Sequence, residues 1–254
     1  MSNTKIDWAE KVWNPVTGCT PVSPGCQNCY ARKMANRLRA MGQEKYKKGF
    51  EVAFHPDSLN EPRKWKKPSR VFICSMGDLF HDEVKDDWLG AIFHAIDPLL
   101  LHQFLILTKR PKNIPSWLYR QLQSCWLGVS CENQEWADKR IPLLLEIPAV
   151  VRWASLEPLL GPINIYNTSR DYLGPLGRPG AKPVSLGLSW CVVGAESGPG
   201  RRPCKLEWVS DIVRQCKAAA VPCFVKQIEI SDKVSHDPQE WPEDLRIREF
   251  PLGS

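Results

Sequence analysis

The chain has 254 residues, 43% of them apolar and 24% charged, with a net charge of +6 at pH 7. That length suits one large α/β domain or two small ones, and the apolar fraction is enough for a core. The start of the chain is polar and does not read as a secretory signal. The longest apolar stretch, around Leu99 to Leu107, is broken by His102 and Gln103, so no membrane span is expected and the location is read as cytoplasmic.

Short apolar runs alternate with amphipathic segments along the chain. A first strand is expected around Val12 to Val16, followed by a Pro/Gly-rich loop and a helix from about Asn28 to Met41 with Met34, Leu38 and Met41 as its apolar stripe. Residues 70–75 read as a buried strand with a helix over 87–96. Residues 104–108 follow as a strand, with a helix near 114–122. The pattern repeats with a strand at 126–130 and a helix at 134–146, then a strand at 150–155. A strand at 190–194 leads to a helix at 205–219, and the last strand lies at 223–226. Continuous apolar strands separated by helices predict an α/β fold, a partial or complete (β/α) barrel of about six to seven parallel strands. We expect a single domain over residues 1–230 with a basic insertion at about 42–70. Residues 166–185 read as an irregular loop, and 231–254 as a loosely docked polar tail.

Ten cysteines is a high count, and in a reducing compartment they are not expected to be disulfides. Seven of them (74, 125, 131, 191, 204, 216 and 223) lie in apolar or mixed segments and read as small buried hydrophobes. Cys19, Cys26 and Cys29 differ, because they crowd into one loop ahead of a helix. Three thiolates with no neighbouring fourth ligand suit a 4Fe–4S cluster with one iron left open. A structural zinc ion would need a fourth ligand, and His55 and Cys74 are distant in sequence. Cys29 falls near the helix N-terminus, where the backbone dipole favours negative charge.

The charge is uneven. Residues 30–70 carry twelve Lys/Arg against four Asp/Glu, a net +8, which leaves −2 for the remainder. Interleaved aromatic residues make this segment a candidate polyanion surface, densest at Lys64, Trp65, Lys66 and Lys67. A solvated helix and loop is the plainer alternative.

Parallel βα folds place their working residues at the C-terminal ends of strands. Those ends here are polar: Met76-Gly77-Asp78, Lys109-Arg110, Ser130 with Glu132, Glu157, Gly194 with Glu196, and Lys226-Gln227. Acids and bases converging on one strand-end face indicate an active site, with Glu196 and Lys226 as the expected catalytic pair.

The runs Trp13-Asn14-Pro15-Val16-Thr17-Gly18-Cys19, Ser23-Pro24-Gly25-Cys26 and Asn28-Cys29-Tyr30-Ala31, with Gly77-Asp78-Leu79-Phe80, resemble a phage-associated family of three-Cys-motif proteins of unknown function. More broadly the chain resembles a divergent branch of the radical S-adenosylmethionine superfamily. The spacing departs from the superfamily's commonest Cys-x3-Cys-x2-Cys, being Cys-x6-Cys-x2-Cys, and the usual aromatic residue before the last cysteine is Asn28, with Tyr30 following instead. The resemblance implies a 4Fe–4S cluster on Cys19, Cys26 and Cys29, S-adenosylmethionine as cofactor, and its cleavage to a 5′-deoxyadenosyl radical. It implies cofactor contacts at Tyr30, Met76, Gly77 and Asp78, a carboxylate partner at Lys109 or Arg110, ribose contacts at Ser130 and Glu132, and further lining from Glu157, Gly194 and Glu196. An electron donor is required, and a partner from a neighbouring gene is a further expectation. Phage association and the basic segment point to a nucleic acid or nucleotide substrate, for base modification or repair. The alternatives are a metal-stabilised nucleic-acid-binding module without catalysis and a radical enzyme acting on a protein or small molecule.

Overall fold

The computed structural model describes residues 4, 6–97, 99, 101–167, 170–171 and 187–251. The chain divides into two compact units, Met1–Leu127 with Pro148–Val150, and Gly128–Ile147 with Val151–Ser254. Among the described residues no helix is long and apolar enough to cross a membrane.

The first unit is built on parallel strands. β1 (Lys11–Trp13) and β2 (Val16–Thr17) open it, followed by helix α1 (Tyr30–Ala40) and β3 (Ala53–Phe54). Next come β4 (Arg70–Ile73), α2 (Asp86–Ile96), β5 (Gln103–Thr108) and the short α3 (Tyr119–Leu122). β4 pairs in parallel with β1 on one side and β5 on the other. Val71, Phe72 and Ile73 are all buried, the pattern of a parallel strand covered on both faces. α2 begins on two acids, Asp86 and Asp87, which suit its positive end, and buries Leu89, Ile92, Phe93 and Ile96 at helical spacing.

Three local expectations change in this unit. The first strand stops at Trp13, because Pro15 offers no N–H and Asn14 turns its side chain to residues 75 and 76. The chain resumes as β2, antiparallel to β3. The expected helix over 114–122 is reduced to a 3-10 turn and α3, since Pro115 interrupts its start. α1 turns Ala31 and Ala35 inward, onto Tyr46 and Met76, with Leu38 half-buried. Small residues let its backbone approach closely, so Met34 and Met41 face solvent at 42% and 62% exposure.

The division between units falls within β6 (Trp126–Ser130). The second unit continues through α4 (Gln134–Leu145), β7 (Val151–Leu156) and a two-residue antiparallel ladder, β8 (Tyr166–Asn167) with β9 (Arg170–Asp171). The rest of the loop expected over 166–185 lies outside the described residues. β10 (Trp190–Gly194), α5 (Leu206–Ala218), β11 (Cys223–Ile230) and β12 (Lys233–Ser235) follow. β10 lies between β7 and β11, all parallel, and β12 returns antiparallel to β11. Gly128 is required by packing: a Cβ there would lie 2.4 Å from the Trp153 ring.

The α/β class with mostly parallel strands is as expected. The seven scattered cysteines are all buried. The polar tail, by contrast, is pinned rather than loosely docked. Val225 N–H donates to the Ile247 carbonyl at 2.8 Å, Glu249 N–H to the Cys223 carbonyl at 2.9 Å, and Trp241 is buried.

Candidate functional site

The cysteine loop starts from a junction of three bare backbones. Gly18 takes φ +90° and its N–H donates to the Met76 carbonyl at 2.9 Å. A Cβ on Gly18 would sit 2.1 Å from the Glu51 carbonyl oxygen, and one on Gly77 would sit 2.9 Å from that of Gly18. Only glycine permits that φ and these approaches together. Beyond the junction, Cys19 N–H donates to the Phe50 carbonyl. A 3-10 turn over Pro24–Cys26 carries the chain to Cys29, the N-cap of α1. The three thiols are all half-buried.

A polar network from the ends of β4 and β5 meets this loop. The Asp78 carboxylate is buried and accepts from the Thr108 hydroxyl at 2.7 Å, Phe80 N–H at 3.0 Å and Lys109 N–H at 3.0 Å. Arg110 is 3.6 Å from Asp78 and 3.5 Å from Asp82. Its Nη1 donates to Cys19 Sγ at 3.2 Å, and its Nη2 to the carbonyl and hydroxyl of Thr20 at 3.0 and 2.8 Å. His81 Nε2 meets the same Thr20 hydroxyl at 2.8 Å. Burial, and then Asp78, push the Cys19 thiol up to about 11 against the pull of Arg110. For Cys26, burial is outweighed by Lys109 and by hydrogen bonds from Val22 and Ser23, and its thiol is held below the ordinary value.

The first unit therefore gathers Cys19, Cys26, Cys29, Tyr30, Met76, Gly77, Asp78 and Lys109. Tyr30 donates its hydroxyl to the Ser75 carbonyl, and Met76 packs its side chain under α1. Asp78 stands at its expected strand end, but both carboxylate oxygens serve the chain's own donors. The basic patch is not gathered in. Trp65 packs edge-on to His102 and under the Lys11 ammonium, at the N-terminal ends of β1 and β5. About 10 Å of β4 separates that end from the cysteine loop, at ~3.3 Å per residue. Lys64, Lys66 and Lys67 are exposed there, at the opposite strand ends from the cysteine loop. The contact missed from sequence is Arg110 on Cys19. The two are 91 residues apart, and no local spacing signals the pair.

In the second unit Glu132 is completely enclosed, paired with Arg140 at 3.0 Å. Arg140 also donates to the Ser130 carbonyl at 2.7 Å and lies 4.1 Å over the Trp136 ring. Ser130 is likewise buried, so neither residue presents a free surface to a ribose. Lys226 donates to Glu157 at 2.8 Å. A Cβ on Gly194 would meet the Glu157 and Gln227 side chains at 3.4 Å, so the missing side chain makes their room. Glu196 is buried and clasped by Arg202 through Nε at 2.9 Å, the backbone N–H at 2.8 Å and Nη2 at 2.5 Å. Glu157 and Gly194, at the ends of β7 and β10, thus meet Lys226 and Gln227 within β11, which runs on to Ile230 instead of ending at the expected residue 226.

Parallel βα units with a three-cysteine loop issuing from β2 define an α/β protein with a thiol-rich candidate metal centre. The chain belongs to the family described as "Protein of unknown function (DUF5131)", which matches residues 3–240. No curated protein matches it. Two solved structures of spore photoproduct lyase are similar to it. One is a mutant with bound AdoMet and dinucleoside spore photoproduct, at 12% identity and TM-score 0.47, covering 90% of this chain and 58% of that one. The other is the lyase complexed with dinucleoside spore photoproduct, at 12% identity and TM-score 0.46, covering 88% and 57%.

Among the described residues, no three His, Cys, Asp or Glu side chains converge to hold a single metal ion. A cluster asks for something else, since each thiolate takes a different iron and the donors need not converge on one point. The donor set fits that demand: three half-buried thiols, a guanidinium on one sulfur, an ammonium lowering another, and a helix N-terminus at the third.

Proposed function

We propose that the protein is a radical S-adenosylmethionine-type iron–sulfur enzyme acting on a nucleic acid or nucleotide. The observation that carries this reading is the cysteine loop itself: Cys19, Cys26 and Cys29 held by the glycine junction at a strand end, with Arg110 on Cys19. Cys19, Cys26 and Cys29 would hold a 4Fe–4S cluster. Such a cluster supplies the electron for reductive cleavage of S-adenosylmethionine, drawn from an external donor.

The remaining roles belong to the chain. Asp78 fixes the Thr108-Lys109-Arg110 turn against the loop. Lys109 stabilises negative charge at Cys26. Beside Cys19 lies a cleft of ≈ 580 Å³ lined by Arg32, Lys48 and Phe50, with Glu51 and Glu83. It gives a polar substrate access to the loop. α1 carries Arg32, Lys33, Arg37 and Arg39 and no acid, and with its C-cap Met41 it presents Tyr30, Met34 and Met41 outward at 56%, 42% and 62% exposure. Cations interleaved with exposed apolar side chains, directly after Cys29, support a nucleic-acid face here.

Anaerobic reconstitution should give about four irons per chain and, with S-adenosylmethionine and a strong reductant, 5′-deoxyadenosine. Stoichiometric zinc without iron uptake would sink the reading. For the substrate class, Arg37→Gln with Arg39→Gln should lower nucleic-acid affinity and reduce the log–log salt slope by up to ~2. An effect confined to Lys64, Lys66 and Lys67 would move the interface to the far strand ends. No binding at low salt by the parent would favour a protein or small-molecule substrate.

A further inference from the structure

We infer that Arg110 is a positioning residue that sets the electron affinity of the centre held by Cys19, Cys26 and Cys29. This rests on the reading that those thiolates ligate an iron–sulfur cluster. The sequence offers Arg110 as a partner for a cofactor carboxylate, but its surroundings favour a different task. Arg110 is 7% exposed and its donors are already committed. Nη1 points at Cys19 Sγ, Nη2 is shared between two Thr20 oxygens, and Nε faces Asp82 at 3.5 Å.

The guanidinium is also braced from behind. Arg110 N–H donates to the Thr108 hydroxyl at 2.9 Å, and that hydroxyl donates to Asp78 at 2.7 Å. Asp78 and Asp82 face the guanidinium, and Asn113 donates to Asp82 at 2.6 Å. The two acids hold the fork in one orientation, and one of its N–H groups is spent on sulfur. A donor to a ligating thiolate draws charge from the sulfur. It stabilises the electron-rich reduced state more than the oxidised one, which raises the reduction potential. Burial strengthens the effect, because water does not screen the cation. The hydroxyl of Ser23, 3.8 Å from Cys26 Sγ, is a weaker neighbour than this guanidinium. Cys19 is therefore a thiolate through which the chain tunes the centre by a direct side-chain donor.

The test uses the full chain, reconstituted anaerobically as parent, Arg110→Gln and Arg110→Lys, with iron content and the midpoint potential measured by EPR-monitored redox titration. Arg110→Gln should bind the same iron with a more negative midpoint. A tenfold loss in relative stability of the reduced form corresponds to about 59 mV for a one-electron couple. Arg110→Lys keeps the charge without the fork and should fall between the two. Equal midpoints at equal iron content in Arg110→Gln and parent would overturn the inference while leaving the cluster reading intact. Weaker S-adenosylmethionine binding with an unmoved midpoint would likewise overturn it and make Arg110 a carboxylate partner. A parent chain that takes up no iron overturns both. If Arg110→Gln gives no cooperative melting transition, Arg110→Lys decides, because a single ammonium nitrogen cannot occupy both the Nη1 position at Cys19 and the Nη2 position at Thr20. A parental midpoint in that variant then overturns the inference.

Discussion

Replacing Asp78 by Asn keeps the side-chain shape and removes one charge, and the structure makes the consequence large. The carboxylate uses both oxygens as acceptors: Oδ1 for Thr108 and Phe80, Oδ2 for Lys109. An amide has one acceptor oxygen, so in either flip an NH2 group faces a donor. One hydrogen bond to a charged group is worth about 1.5–3 kcal/mol, and an unsatisfied buried donor adds to the loss. Arg110 keeps Asp82 and Cys19, so the full ~3–5 kcal/mol of a broken buried ion pair is not expected. A loss of about 3 kcal/mol remains. For a protein of this size that lowers the melting temperature by roughly 6–12 °C at ~2–4 °C per kcal/mol. The assay is thermal melting of metal-free protein followed by circular dichroism. A residue whose task was to greet a cofactor would leave the metal-free melt unchanged. A melting temperature within about 2 °C of the parent, the shift that ~1 kcal/mol or less would give, would therefore refute the reasoning.

Gly18→Ala should destabilise by about 3 kcal/mol or more, because it combines a left-handed φ with a Cβ driven into backbone; melting and iron uptake should fall together. Stability should drop on acidification through His55, whose ring is held down to about 4 by burial and then by Lys45. Between that value and the free value of 6.5 the unfolded chain binds more protons, so this contribution is complete above pH 6.5 and lost as the pH falls through about 4. Partial exposure of the ring reduces the effect to about 1 kcal/mol, and His55→Gln should flatten melting temperature against pH across that window. Arg140→Met should cost about 3–5 kcal/mol by stranding the Glu132 carboxylate, and adding Glu132→Leu should recover most of it. Denaturant midpoints of the single and double variants check the sign.

Periodicity located most regular elements closely. α2, α4 and α5 each begin within a residue of expectation, as do β4, β5 and β10, because each buries an uninterrupted apolar pattern against neighbours. It misread α1, where alanines rather than methionines face inward. Packing distance, not hydrophobicity, chose that face. At the site, residue types marked the strand ends but not their occupancy. Glu132, Glu196 and Asp78 look alike in sequence as exposed acids after strands. Each is instead buried and answered by a cation, Arg140, Arg202 and Arg110. These partners lie 8, 6 and 32 residues away, at spacings no local pattern requires. The basic patch shows the same limit. Its charge is evident from composition, but only strand direction reveals which end of the sheet it occupies.

The meeting of residues 18, 51 and 77 bears on how a metal centre would be acquired. Because the start of the loop is held by backbone against backbone, its geometry does not wait for a ligand to impose it. Much of the entropy of ordering Cys19 is already spent when the unit folds, unlike a zinc finger, whose chain is disordered until metal arrives. Metal uptake then resembles filling a socket more than completing a fold. Substitution at the cysteines should consequently empty the centre while leaving the strands beneath it standing.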